Sequence, residues 1–473
     1  MNATEWTTKG IILAKLGRDQ EALEAFNQAL ITDPALAVAW HLKSATLEKL
    51  GRDQEALDTC NRGLSLDPDV AAAWSIKGMA LVNLGMYEKA LAAFDQALIT
   101  DPEFTIAWSN KAVALSHLGR YTEALEACDQ ALSLQPENAD IWNRKGSALV
   151  KLGRFDEAVT ACDRATKISP KNPDLWSNKG HVLARLGRHE IALAAFDKAV
   201  TLAQNNAIAW IDKGATLFKL GRATEALKTY NRAIAIDPNI ASAWSNKGQV
   251  LDYLGKPNDA LAAYDKASSV DPGLAVIWYN KGTTLVHVNR LQEALAAYDK
   301  AVATDPAYID AWYNKGNTLA RLERYEEAID AYDHLLSIDP DYVDAWYNKG
   351  CSCAKTGEYE KADKAFDEAL SLDPALAGAW CNKGELLVKL GRTGEALTAC
   401  DTALSIDPSL AQAWMNKAQL FEKLQEFDKA LSCYQEAVWI QSGYRTVSKV
   451  TKGTRPAGDK TGQTPRRTPK KRR

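Results

Sequence analysis

Hydrophobic and small residues recur along this chain on two alternating helical spacings. From Trp108, apolar or small side chains follow at Ala112, Leu115 and Leu118, which spans about three turns of a helix. Gly119 comes next, and glycine holds the same place at Gly17, Gly51 and Gly85. It supplies the left-handed residue that ends a helix. A second helical pattern follows, as in Ala192, Leu193, Phe196, Ala199 and Val200. Asp-Pro then closes most copies, from Asp33-Pro34 to Asp407-Pro408. Proline lacks an amide donor and disfavours helix in the residue before it, so it separates this helix from the next. The pattern predicts an all-α chain of helix-turn-helix units.

The units keep a strict length. Thirteen of the 14 tryptophans, from Trp6 to Trp414, recur every 34 residues, and only Trp439 falls outside the series. With each tryptophan counted as position 4, Ala3 is position 1 of the first copy. Position 20 is Ala in every copy, from Ala22 to Ala430, and position 8 is always Gly, Ala or Ser. Small residues at both places let the two helices of a hairpin approach closely while Trp and Leu fill the flanks. No such hairpin buries its apolar face alone, so neighbours must stack on one another.

Large at 4, small at 8, large at 11, Ala at 20, aromatic at 24, Ala at 27 and Pro at 32 resembles the tetratricopeptide repeat (TPR) family over residues 3–442. The resemblance implies a right-handed superhelical solenoid of thirteen repeats, with the first helices lining a concave groove that holds peptides or partner proteins. Repeat 6 departs from the pattern by ending in Ala203-Gln204, which reads as a softened joint, and repeat 13 ends in Gln441-Ser442. No clear amphipathic helix follows residue 442, so Trp439 is the residue expected to help cover the open end.

Charge divides the chain. The net charge is −3, but residues 443–473 hold eleven Lys or Arg against one acid, Asp459, a charge of +10. The remaining 442 residues carry 46 basic and 59 acidic side chains, a charge of −13. Rich in Gly, Pro, Thr and cations, the tail reads as disordered. Its Arg466, Arg467, Lys470, Lys471, Arg472 and Arg473 suit nucleic-acid phosphates. The alternatives are a solubilising extension or a tail that folds back on the acidic body. There is no signal-peptide pattern and no apolar run of membrane-spanning length, so the expected location is cytoplasmic.

Position 7 is Lys in every repeat, Lys9 to Lys417, and it lies beside the apolar stripe. Either these lysines snorkel independently, or they form a ladder with position 25, which is Asp in nine repeats; Lys315 with Asp333 is the example within one repeat. Cys60, Cys128, Cys162 and Cys400 occupy position 24, where the other nine repeats hold Phe or Tyr, and therefore read as core filler. Cys351, Cys353 and Cys381 lack a fourth metal ligand, and the six histidines are scattered. No metal, cofactor or catalytic residue is expected.

The candidate site is a column. Position 6 is Asn at Asn110, Asn178, Asn246, Asn280, Asn314, Asn348, Asn382 and Asn416. A merely solvated helix face has no reason to prefer Asn, a mediocre helix former. Its amide both donates and accepts, so a ladder of them suits an extended peptide backbone. The column is similar to the asparagine ladder of O-linked N-acetylglucosamine transferase TPR superhelices and to the groove asparagines of chaperone-binding TPR domains. Tyr279, Tyr313 and Tyr347 at position 5 would add stacking area, and Arg321 and Lys355 at position 13 would favour acidic peptides. Asn280, Asn314 and Asn348 are expected to serve binding with little part in stability. The bland alternative is an inert Asn carried along by repeat duplication. The expected function is a non-enzymatic interaction scaffold. The alternatives are a nucleic-acid-associated adaptor anchored by the tail, or the substrate-recognition subunit of a separate enzyme.

Overall fold

The computed structural model describes residues 1–442. The readings made for residues 443–473, including the disordered basic tail and Arg466, Arg467, Lys470, Lys471, Arg472 and Arg473, lie outside the described residues. Within them are 26 α-helices and no strand, two helices for each of the thirteen repeats. First helices run from Ala3–Lys15 to Ala411–Lys423 and second helices from Asp19–Thr32 to Phe427–Gln441. The helices fall into two compact units, Met1–Thr284 and Leu285 onward, divided inside the helix Ala275–His287. The repeat grammar is the same in both.

The position-20 alanines are sealed. Twelve of the thirteen are 0% exposed and Ala430 is 4% exposed. Position 8 explains itself by distance: a Cβ added at Gly10 would lie 2.5 Å from the Phe26 ring, and one at Gly316 2.5 Å from the Tyr332 ring. Of the three repeats with a side chain at position 8, Ser44 and Ala112 go with the smaller Cys60 and Cys128 at position 24, whereas Ala418 goes with Tyr434. Volume is traded across the hairpin in repeats 2 and 4 only. Burial pushes the thiols of Cys60 and Cys162 up to about 11 and those of Cys128 and Cys400 up to about 12, as expected of core filler. All eight cysteines are free.

Ten position-15 glycines have φ between 70° and 83°, with open space where a Cβ would be. The remaining three repeats adopt the same left-handed turn with Asn289, Glu323 and Gln425, at φ of 59°, 59° and 61°. An L-residue is strained there, so the turn is imposed by the packed helices on either side.

The tryptophans join repeats through their edges as well as their faces. Trp40 Nε1 donates to the carbonyl of Pro34 at 2.9 Å, and the same bond recurs at Trp346 to Pro340 at 2.8 Å. At repeat 6, where Gln204 replaces the proline, Trp210 Nε1 still donates to the residue-204 carbonyl at 3.0 Å. The donor needs only a backbone oxygen, so that joint keeps this bond.

The lysine ladder forms, but in a register that joins repeats. Lys315 Nζ lies 2.8 Å from Asp299, sixteen residues back, and Asp333 instead receives Lys349 at 2.5 Å. All nine position-25 aspartates are paired in this way, including Asp95 with Lys111 at 2.6 Å and Asp401 with Lys417 at 2.5 Å. Position 7 looks back onto the second helix of the preceding repeat, so the aspartate of its own repeat is not its partner. In twelve repeats the same ammonium also lies over its own tryptophan, 4.8–5.7 Å from the ring centroid. Trp, Lys and the preceding Asp form a latch.

The last helix, Phe427–Gln441, has an open face. Leu431 is 58% and Val438 60% exposed, whereas Leu91 and Leu370, at the same repeat positions, are 6% exposed beneath the next repeat. Trp439 is itself 57% exposed and does not cover that face. No described helix is long and apolar enough to cross a membrane.

Candidate peptide-binding groove

The position-6 column lies where first helices of adjacent repeats meet. Seven of its asparagines are half-buried and Asn416 is 1% exposed. Asn348 Nδ2 donates to the Tyr313 hydroxyl at 3.2 Å and to Asn317 Oδ1 at 3.0 Å. One repeat on, Asn382 Nδ2 donates to the Tyr347 hydroxyl at 3.0 Å and to Cys351 Sγ at 3.3 Å. Asn416 Nδ2 reaches the Cys381 carbonyl at 3.2 Å, and Asn178 Nδ2 reaches Asn143 Oδ1 at 3.0 Å. The acceptors lie at positions 5 and 9 of the preceding repeat, 35 and 31 residues back. A stitch between repeats is therefore one reason for Asn at position 6.

The column is not uniform. Asn246 faces Ile211 and Ala215 at those two positions, neither of which has a side-chain acceptor, and its amide makes no hydrogen bond among the described residues. Asn280 Nδ2 is buried without a partner among the described residues. Asn110 accepts from Arg144 at 3.5 Å, and Arg144 also donates to the Ser109 carbonyl at 3.1 Å. Burial holds the Arg144 guanidinium below its usual range. In repeat 7 the column holds Asp212, whose carboxylate lies 3.1 Å from His181 Nε2. The Asp212 carboxylate beside it holds that imidazole above its usual value, although desolvation opposes it. Asn314 is half-buried like its neighbours.

Family models described as Tetratricopeptide repeat match residues 7–71, 77–138, 177–239, 245–309 and 279–343. Further models of the same description match 117–181, 343–376, 377–410 and 411–444. The chain belongs to the tetratricopeptide repeat family. No curated protein matches this TPR chain. Among solved structures it is similar to YrrB, described as a TPR protein with an unusual peptide-binding site, at 27% identity over 39% of this chain and 95% of YrrB, with a TM-score of 0.35. MamA is similar at 26% identity over 36% of this chain and 92% of MamA, TM-score 0.34. The APC/C hetero-tetramer Cut9–Hcn1 gives 16% identity over 89% of this chain and 90% of that one, TM-score 0.39.

The aromatic neighbours of the column are half-buried: Tyr279, Tyr313 and Tyr347 all fall in that class. Tyr313 packs on Tyr332 and Tyr342, with centroids 6.5 and 5.2 Å away, and Tyr347 packs on Phe366 at 6.2 Å. Their hydroxyls accept from Asn348 and Asn382, and burial pushes the Tyr347 phenol up to about 12. Much of the ring area offered to a ligand by the sequence pattern is thus spent inside the TPR hairpin. Arg321 and Lys355 are exposed, and Arg321 Nη2 donates to Asn289 Oδ1 at 3.2 Å. The residues the column reading missed are the acceptors, Asn143, Asn317 and Cys351. Their signal was a polar side chain 31 or 35 residues before a position-6 Asn.

Proposed function

We propose that this TPR protein is a non-enzymatic, cytoplasmic scaffold that holds an extended peptide or partner segment along the first helices of its repeats. Residues 3–442 form the repeat array in this reading and 443–473 a basic extension. The observation that carries it is the state of Asn348 and Asn382. Each spends its amide nitrogen on the preceding repeat, while no donor among the described residues takes its Oδ1. Two bonds hold each side chain in one orientation, so the remaining acceptor is pre-organised for a peptide N–H at little further entropic cost. Asparagine oxygens would read the backbone, and Arg321 and Lys355 would favour acidic side chains beside it.

The same geometry changes the test. Replacing Asn348 removes two inter-repeat hydrogen bonds together with the acceptor, so affinity and stability fall together. Asn246 separates them because it holds no neighbour. Asn246→Ala is expected to weaken a peptide captured from the native host by a loss on the order of 1 kcal/mol, with an unchanged melting temperature. Isothermal titration beside a thermal melt reads both. Unchanged affinity in Asn246→Ala and Asn382→Ala would remove the ladder from the binding surface.

A further inference from the structure

Repeat 3 breaks three charge rules of the solenoid at one place. At nine joints the position-7 lysine meets an aspartate of the preceding repeat, but Lys77 faces Asn61 instead. In eight repeats Arg at position 16 is paired with Glu at position 19, as Arg120 is with Glu123 at 2.6 Å. In repeat 3 those two positions hold Met86 and Lys89. An ordinary joint has two cations and two anions at these positions. This one has two cations and no anion. Neither lysine nitrogen has a carboxylate within 4 Å among the described residues.

The same place is also hollow. A depression of about 500 Å³ lies among the helices Asp53–Leu66, Ala71–Asn83 and Tyr87–Thr100. Leu57, Trp74 and Met86 give it apolar walls, and Asn61, Lys77 and Lys89 line it with polar groups. Lys77 Nζ sits 4.8 Å from the Trp74 ring centroid, the pose its counterparts adopt when a carboxylate completes the latch. The protein itself demonstrates the missing partner at the paired joints. A carboxylate fits against this lysine, as Asp95 does against Lys111 at 2.6 Å in the next joint.

We propose that this depression docks an acidic, aliphatic segment of a partner protein, one carboxylate replacing the absent aspartate on Lys77 and a second meeting Lys89. An aliphatic side chain between them would cover Trp74, Leu57 and Met86. The surface is separate from the position-6 column, because position 7 and the second helices line it. Charge complementarity selects the occupant: a cationic segment is repelled by the two lysines, and a neutral one leaves both ammonium groups unpaired as the apolar walls close over them.

The probe is a short blocked peptide of alternating leucine and glutamate, labelled with fluorescein, read by anisotropy against the full chain. Its counterpart alternates leucine and glutamine. The wild type is expected to bind the acidic peptide and not the neutral one. The double variant Asn61→Asp with Lys89→Glu, which installs an internal anion and reverses the second charge, is expected to weaken binding about tenfold or more. Circular dichroism should show it as helical and at least as stable, since the carboxylate introduced by Asn61→Asp would complete the latch on Lys77. Equal affinity in wild type and double variant overturns the site, as does equal binding of the neutral peptide or no binding of the acidic one. Loss in Asn246→Ala with Asn382→Ala, but not in the double variant, would place the peptide on the asparagine column, overturning this site and leaving the groove reading intact.

Discussion

Repeats 10 to 12 and repeats 1 to 3 share one hairpin and differ in how their joints are tied. Around Asn348 the joint holds a latch, Lys349 with Asp333, and a stitch, Asn348 with Tyr313 and Asn317. Around Lys77 it holds neither, because position 25 is Asn61 and position 6 is Ile76. Yet Ala56, Ala90, Ala328 and Ala362 are all 0% exposed, and Trp74 and Trp346 both donate to a proline carbonyl at 2.8 Å. The hairpin therefore rests on its small-residue and tryptophan positions. Polar pairs form a second layer that can be omitted without losing the fold, and where they are omitted the surface changes character.

The largest expected effect should not distinguish the two regions. Ala328→Leu forces a branched side chain into a hairpin without space and should cost about 1–3 kcal/mol. Hydrogen exchange should rise first in the helices Ile309–Arg321 and Tyr325–Ile338, since each repeat contacts only its neighbours. Ala56→Leu should behave alike in its own hairpin. A uniform rise along the chain would contradict a quasi-one-dimensional array.

The stitch should separate them. Asn348→Ala is expected to lower stability by about 1–2 kcal/mol through two lost hydrogen bonds, whereas Ile76→Ala removes no polar contact. Denaturant melts of Asn348→Ala and Asn246→Ala give the cleaner contrast, with the second near zero. Equal losses would mean that the amide bonds to Tyr313 and Asn317 contribute nothing.

A gain is available where the left-handed turn is strained. Glu323→Gly should stabilise by about 1 kcal/mol, because φ of 59° is costly for glutamate and its side chain is exposed. The same change made in reverse at Gly85, Gly85→Glu, should cost a similar amount. Melting temperatures moving in one direction for both would refute the backbone account.

The smallest effects are pH-dependent and opposite in sign. His41 is 8% exposed with neither ring nitrogen partnered among the described residues, and burial lowers its pKa. The unfolded chain then binds the proton more readily, so stability present above about pH 6.5 is lost as pH falls through that value. His181 beside Asp212 has a raised pKa, so its contribution is present below about pH 6.5 and lost as pH rises through the higher folded value. His41→Ser should flatten the acid side of a melting-temperature profile, and Asp212→Asn the neutral side. A His41→Ser profile that still falls on the acid side like the wild type would exclude His41 as its cause.

What the sequence determined by itself was everything local or periodic. The helix pairs, the sealed Ala at position 20, the small residue at position 8 and the glycine turn all follow from spacing within one repeat, where covalent connection leaves few choices. The chemistry of the polar columns was legible too, since an invariant Lys and a favoured Asn demand partners. Which partner was not. A helical wheel shows the face on which position 7 or position 6 lies, but two hairpins flank each repeat and the wheel does not choose between them. The packing of Lys315 toward the preceding second helix selects Asp299, sixteen residues back, over Asp333, eighteen ahead. The packing of first helix on first helix turns the nitrogens of Asn348 and Asn382 to Tyr313, Asn317, Tyr347 and Cys351, leaving their oxygens without a donor among the described residues. Tertiary structure decided those pairings because they join side chains whose distance is set by how one repeat docks on the last, a geometry that no single 34-residue unit contains.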